Sequence, residues 1–221
     1  MKLSQNTLDV IKNFSTINTA LFFKAGNVLR TVSPHKTILA EATIDETIPV
    51  DFGIHDLNQL LSIMSLHKDG PDMSVNGVDM VVMGYSDRSK ISYRCCDSTM
   101  IKNPPEKNIS VPTKDATFLL TEDDLTYVLK AASILGSPNI SLFCDGSKMY
   151  LKTLDAQDDS AHVQTLEIGP TTVNGTFLFK TENWKMLPGT YDVVLSHKGV
   201  AHFQHKERKI QYWIALEQRT K

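Results

Sequence analysis

Three groups of residues in this 221-residue chain have side chains that could do chemistry. Asp155, Asp158 and Asp159 offer carboxylates of the kind a turn gathers around a hard divalent cation. His197, His202 and His205 offer imidazoles for zinc or for proton transfer. Cys95, Cys96 and Cys144 offer thiols. The spacing argues against a site in each case. The aspartates fall in a polar stretch between strand-like segments, which reads as a solvated loop. His202 and His205 differ by an odd number within strand-like sequence, so they point to opposite faces and cannot share a metal. An adjacent cysteine pair with a lone third gives neither an even disulfide framework nor the paired spacing of a zinc site, and the three are read as reduced, buried thiols. A Gly-x-x-x-x-Gly-Lys phosphate loop, a Gly-x-Ser-x-Gly elbow and a His-Glu-x-x-His helix are all missing, which removes the commonest nucleotide, serine-hydrolase and zinc-hydrolase chemistries. The chain is therefore expected not to be an enzyme and to need no cofactor and no metal.

The elements that carry these residues follow from composition and patterning. With 41% hydrophobic and 22% charged residues, the chain is an ordinary globular one. The absence of any run of about 18 apolar residues, together with a start that turns polar at once, predicts neither a membrane span nor a signal peptide. The protein is expected to stay in the reducing cytoplasm where it is made. A formal net charge of -2 allows nucleic-acid contact only if it is local and loose.

An internal repeat sets the architecture, at a period of roughly 120 residues. Leu3-Ser4, Leu8, Ile11 and Phe22-Phe23-Lys24-Ala25-Gly26 recur as Leu120-Thr121, Leu125, Val128 and Leu142-Phe143-Cys144-Asp145-Gly146. A 3.6-residue wheel gathers Thr7, Val10, Ile11, Phe14 and Ile17 on one side, with Ser4 as N-cap and Lys12 opposite. Its second copy has Thr121 as cap, Leu125, Val128, Leu129 and Ala132 inward, and Asp123, Tyr127 and Lys130 outward. Shorter helices are predicted from His55 to Leu66 and from Thr181 to Leu187, the latter stopped by Pro188-Gly189. Strands fill the rest. The predicted class is α+β: two similar domains, each with antiparallel sheets and two short helices, spanning residues 1–100 and 115–221 and joined by a linker at 101–114 that contains Pro104-Pro105.

Several strings make the chain resemble the sliding clamps of T-even-type phages. They are Met1-Lys2-Leu3-Ser4, Lys12-Asn13-Phe14-Ser15-Thr16-Ile17-Asn18, Asp56-Leu57-Asn58, Leu61-Ser62-Ile63-Met64-Ser65-Leu66, Lys185-Met186-Leu187-Pro188-Gly189-Thr190-Tyr191, Asp158-Asp159-Ser160-Ala161 and Ala215-Leu216-Glu217. Their order and spacing agree along the whole chain. The resemblance implies the DNA-clamp fold and a homotrimeric ring with helices around the hole and strands on the rim. It also implies a processivity factor that encircles duplex DNA without reading its sequence. The implied partners are a replicative DNA polymerase, a separate clamp-loader ATPase and transcription factors that use the tracking ring, all in the cytoplasm of an infected bacterial cell.

On that resemblance Lys2, Lys12, Lys68, Lys130 and Lys185 are expected to face DNA, as long solvated cations suited to phosphates. The strands Arg88–Cys95 and Ala161–Ile168 are expected to pair between subunits, with Ile91, Tyr93, Val163 and Leu166 in the interface. Partner tails are expected in an apolar pocket beside the linker, formed by Leu187, Pro188, Tyr191, Trp213 and Ile214. Two other readings stay open: a β-rich structural or interaction protein with no DNA role, and an enzyme built on the Asp155–Asp159 loop.

Overall fold

The computed structural model of the chain describes residues 1–67, 70–84, 88–105 and 109–217. It divides into two units, Met1–Glu106 and Lys107–Lys221. The first unit runs α1 (Gln5–Ile17), β1 (Leu21–Phe23), β2 (Gly26–Val32), β3 (Ile38–Ile48), β4 (Phe52–Ile54), α2 (Leu57–Ser65), β5 (Asp72–Val75), β6 (Asp79–Gly84) and β7 (Ser89–Arg94). The second runs β8 (Ala116–Leu120), α3 (Glu122–Leu135), β9 (Asn139–Asp145), β10 (Lys148–Leu154), β11 (Gln164–Pro170), β12 (Asn174–Lys180), β13 (Tyr191–Ser196), β14 (Val200–His205) and β15 (Ile210–Ala215).

The repeat is visible in the pairing. In the second unit β12 pairs β9, β9 pairs β10 and β10 pairs β11, all antiparallel. The first unit has the same two hairpin-like pairs, β4 with β1 and β2 with β3, as separate ladders. After the second helical segment each unit ends in a three-strand meander, β5-β6-β7 in one and β13-β14-β15 in the other. β8 then adds to β13. Its place in the first unit is taken by the chain start, where the Met73 N–H donates to the Met1 carbonyl at 2.8 Å.

The helices form where apolar spacing and caps agree. α1 buries Thr7, Val10, Ile11, Asn13, Phe14 and Ile17, and the Ser4 hydroxyl accepts from the Thr7 N–H. Full burial of one such apolar side chain stabilises by about 1.5–3 kcal/mol. α3 buries Leu125, Val128 and Ala132 and is capped by Thr121. It ends at Gly136, whose φ of 63° is left-handed.

The helix expected over Thr181–Leu187 does not form. Only Thr181–Asn183 turns, as a 3₁₀ segment whose Lys180 cap supplies no side-chain hydrogen bond. Trp184 then packs edge-on to Phe179 at 5.4 Å and to Phe203 at 5.7 Å, and Met186 is also buried. An uncapped stretch this short cannot repay helix nucleation, whereas burying Trp184 in the aromatic cluster can order it.

Two further expectations need correcting. Only Cys144 is buried; Cys95 and Cys96 are half-buried, and all three are free. The strand expected from Ala161 begins at Gln164, leaving Val163 ahead of it and 57% exposed.

Candidate nucleic-acid interface

Lys12 stands on the exposed face of α1, and its helix is fixed from below. Asp45 and Glu46, at the end of β3, reach the helix start. Ser4 donates its hydroxyl to Asp45 at 2.9 Å, while Glu46 accepts from the Ser4 N–H and the Thr7 hydroxyl. Glu46 satisfies the N–H of the capping residue, Asp45 takes its hydroxyl, and both negative charges favour the helix dipole. They hold the α1 start on its sheet, and so they set where Lys12 points. Sequence reasoning missed them because the contact joins residues about 40 positions apart. The signal in the chain was only an acidic pair closing an alternating run.

Lys130 is exposed on α3, which Thr121 holds at its start by accepting the Asp124 N–H at 3.1 Å. Neither Lys12 nor Lys130 has an ion-pair partner among the described residues. The exposed stripe of α3 also carries Asp123, Tyr127 and Ile134, and its first turn is acidic through Glu122, Asp123 and Asp124. These acids cap the helix dipole but weaken attraction to phosphates nearby. Lys2 is exposed just before α1. Lys185 is exposed beyond the 3₁₀ turn, in a segment that is not helical. Lys68 lies outside the described residues.

The expected interface residues sit at sheet edges. Among the described residues of its unit β7 pairs only with β6, and β11 pairs only with β10. Burial alternates along both strands: Ile91 and Tyr93 on β7, and Leu166 on β11, are half-buried. The Tyr93 hydroxyl lies 3.5 Å from the Asp56 carbonyl, at the α2 N-terminus, and burial pushes its pKa up.

The five residues expected to receive partner tails are not equivalent. Tyr191 is fully buried, donating its hydroxyl to the Leu187 carbonyl, and it meets Tyr212 with ring centroids 6.1 Å apart. Ile214 is fully buried and Trp213 nearly so, stacked on His202 at 4.9 Å. Tyr191 and Ile214 are core packing, so neither can touch a ligand. Leu187 is half-buried and Pro188 exposed. Sequence reasoning also missed a cleft of about 640 Å³ in the first unit, lined by Phe22, Lys24, Val28, Asp51, Asn103 and Pro104 among others. Residues far apart in sequence meet there, so no local motif announces it. Its linker side is anchored by Lys102, which donates to the Pro34 carbonyl, and by Arg30, which donates to the Pro105 carbonyl at 2.9 Å.

The chemistry-bearing groups have structural employment. Asp155 accepts from the Gln157 N–H at 2.8 Å, and Asp158 accepts from the Ser160 N–H and hydroxyl, which lower its pKa. His202 bonds Gln211 at 2.9 Å, and burial lowers its pKa. His205, on the opposite face, accepts at Nδ1 from the Glu207 and Arg208 N–H groups. His197 stacks on Phe177 at 4.3 Å. Burial pushes all three thiols up, which disfavours the nucleophilic thiolate. No helix among the described residues is long and apolar enough to cross a membrane.

Residues 2–101 match the family described as DNA polymerase processivity factor. The chain is 32% identical to the sliding clamp of Enterobacteria phage T4, across 98% of this chain and 97% of that one. It is 30% identical to the sliding clamp of Vibrio phage KVP40, across 98% of this chain and 99% of that one. Among solved structures, A. fulgidus PCNA bound to the C-terminal region of FEN-1 aligns with a TM-score of 0.71 at 13% identity, covering 99% of this chain and 98% of that one. That last likeness concerns the fold.

Proposed function

The chain belongs to the sliding clamps, the processivity factors of DNA polymerases, and from that premise we propose how it works. Three copies close into a ring around duplex DNA, α1 and α3 face the hole, and the ring tethers a replicative polymerase while performing no reaction of its own. The observation that carries this reading is 32% identity to a phage sliding clamp over nearly the whole of both chains. Lys12 and Lys130, exposed on the long helices of both units, fit the role. A ring must hold DNA without choosing a sequence, and a few solvated lysines attract phosphates without reading base edges. Lys2, Lys185 and Lys68 are proposed as weaker contributors.

The subunits join by sheet continuation, β7 of one copy against β11 of the next, which pairs the free N–H and C=O groups of both edges. Ring opening is assigned to a separate clamp-loader ATPase, because this chain has no phosphate loop. Partner tails bury a few apolar anchors against Leu187 and Pro188; Tyr191 and Ile214 lie in the core beneath, and Trp213, stacked on His202, is on the other face of the sheet. Such a tail on a PCNA relative makes this mode reasonable. Transcription factors that follow the tracking ring would use the same surface. The likeness to phage proteins supports work in an infected bacterial cell, and its cytoplasm is the compartment proposed here.

The test is primer extension on a long template under single-encounter conditions, with the polymerase and loader of the same replication system. Adding this chain should lengthen products severalfold at every template sequence. Products of unchanged length would contradict the reading.

A further inference from the structure

Edge pairing leaves open which residues stand opposite each other, and a slip of one residue would turn every side chain to the wrong face. Side-chain alternation removes half of the choices. On β7, Ser89, Ile91 and Tyr93 turn inward and Lys90, Ser92 and Arg94 outward. On β11, Gln164 and Leu166 turn inward and Thr165 and Glu167 outward. A continuous sheet must place Ile91 and Tyr93 in the layer of Gln164 and Leu166.

Charge and the β-bulge decide among the rest. Outward from β7 point Lys90 and Arg94; outward from β11 points Glu167, already 2.8 Å from Lys148. Ile168 is the extra residue of a bulge, since Met149 pairs Gly169 while Tyr150 pairs Glu167. Regular pairing is therefore available on β11 only up to Glu167. We propose that a second copy of this chain docks its β7 on β11 with Lys90 opposite Glu167, Ile91 opposite Leu166, Ser92 opposite Thr165 and Tyr93 opposite Gln164.

This register adds the Lys90 cation to the Glu167–Lys148 pair and uses the regular part of β11. It also carries Arg94 toward the exposed loop of Asp158 and Asp159, which bear the complementary charge. Sliding by two residues one way sets Lys90 against Gly169 and Ser92 against Glu167. Sliding the other way leaves half of β7 beyond the start of β11. Sliding by four brings Arg94 to Glu167, but with Tyr93 on the bulge and fewer pairs. The apolar surface beside the β11 edge would be covered in the same step: Val163 is 57% exposed, and so is 73% of Ile134 on α3, which packs across β10 and β11. The two edges differ, so the contact is head-to-tail and must close into a ring or run on as a filament.

The inference rests on the ring reading, and one experiment separates the two. Cysteines are placed in pairs, Ser92→Cys with Thr165→Cys, and for the shifted registers Ser92→Cys with Val163→Cys or Glu167→Cys. Each pair is treated with a mild thiol oxidant beside its single-cysteine controls. Mass is measured by light scattering before oxidation. The Ser92–Thr165 pair should cross-link at least about tenfold faster than either shifted pair, because only residues directly opposite bring Cβ atoms within disulfide reach. A ring-sized protein in which a shifted pair cross-links as fast or faster overturns the register and leaves the ring standing. A monomer that yields no cross-links overturns both. As a second readout, Lys90→Glu should weaken assembly about tenfold and Lys90→Glu with Glu167→Lys should restore most of it; equal weakening in both variants would also overturn the register.

Discussion

At the scale of single residues, Lys12 and Lys130 are the contacts with DNA proposed above, and their exposure was legible in the sequence because each falls opposite an apolar stripe. In a trimer each occurs three times, so one substitution acts three times on the same ring. Exposed ion contacts are worth only about 0.2–1 kcal/mol each and are screened by salt. Replacing both lysines by glutamate should therefore leave stability and assembly unchanged while shortening residence on DNA about tenfold or more. A loss of this kind would be insensitive to DNA sequence, and it would be read by the decay of fluorescence from labelled protein on end-blocked DNA. The control reverses Lys198 and Lys209, which lie in exposed turns of the second unit. Equal residence for both variants would mean that the helix faces do not see DNA. What the sequence did not disclose is the support beneath Lys12: Asp45 and Glu46 reach Ser4 and Thr7 only once β3 and α1 have packed. Tyr191 shows the opposite failure. It lies beside an exposed Pro188, but its hydroxyl turns inward to the Leu187 carbonyl, so nearness in sequence to an exposed turn misled about its accessibility.

At the scale of elements, α1 and α3 were legible because capping residue and apolar period agree, with Ser4 and Thr121 each accepting an N–H of the first turn. α2 was legible from its apolar period alone and starts at Leu57, after its cap Asp56, rather than at His55. The segment after β12 was not, because its conformation is decided by where Trp184 packs and by one close approach. Gly189, at φ 145°, passes so near the His205 ring that any Cβ there would overlap Nε2. The imidazole cannot easily withdraw, since Nδ1 accepts two backbone N–H groups and Nε2 contacts the Pro188 carbonyl at 3.2 Å. Gly189→Ala should thus cost at least about 2 kcal/mol, combining overpacking with a backbone conformation unfavourable to alanine. Gly199 shares a positive φ of 94° but has open space around it, so Gly199→Ala should cost less. Urea midpoints of the two variants make the comparison, and equal losses would show that the His205 contact yields freely.

At the scale of the whole molecule, duplication was the most legible feature. Repeated helix starts and strand openings in the sequence become equivalent ladders, and even the missing leading strand of the first unit is replaced by Met1 against β5. Assembly was less legible, because an edge strand looks like any other strand until its neighbours are known. Two edges of complementary charge, an exposed cation on a long helix of each unit, and 32% identity to a phage clamp over nearly the full length lead to one central claim: the protein holds DNA by surrounding it. The most direct measurement loads the protein onto nicked circular DNA with its loader, removes free protein, and follows retention in high salt before and after the circle is cut once. Encirclement predicts retention on the circle, prompt loss after the cut, and restored retention when both ends of the linear DNA are blocked. Retention that ignores the cut, or binding to the intact circle that salt alone abolishes, would contradict encirclement and leave only surface attachment.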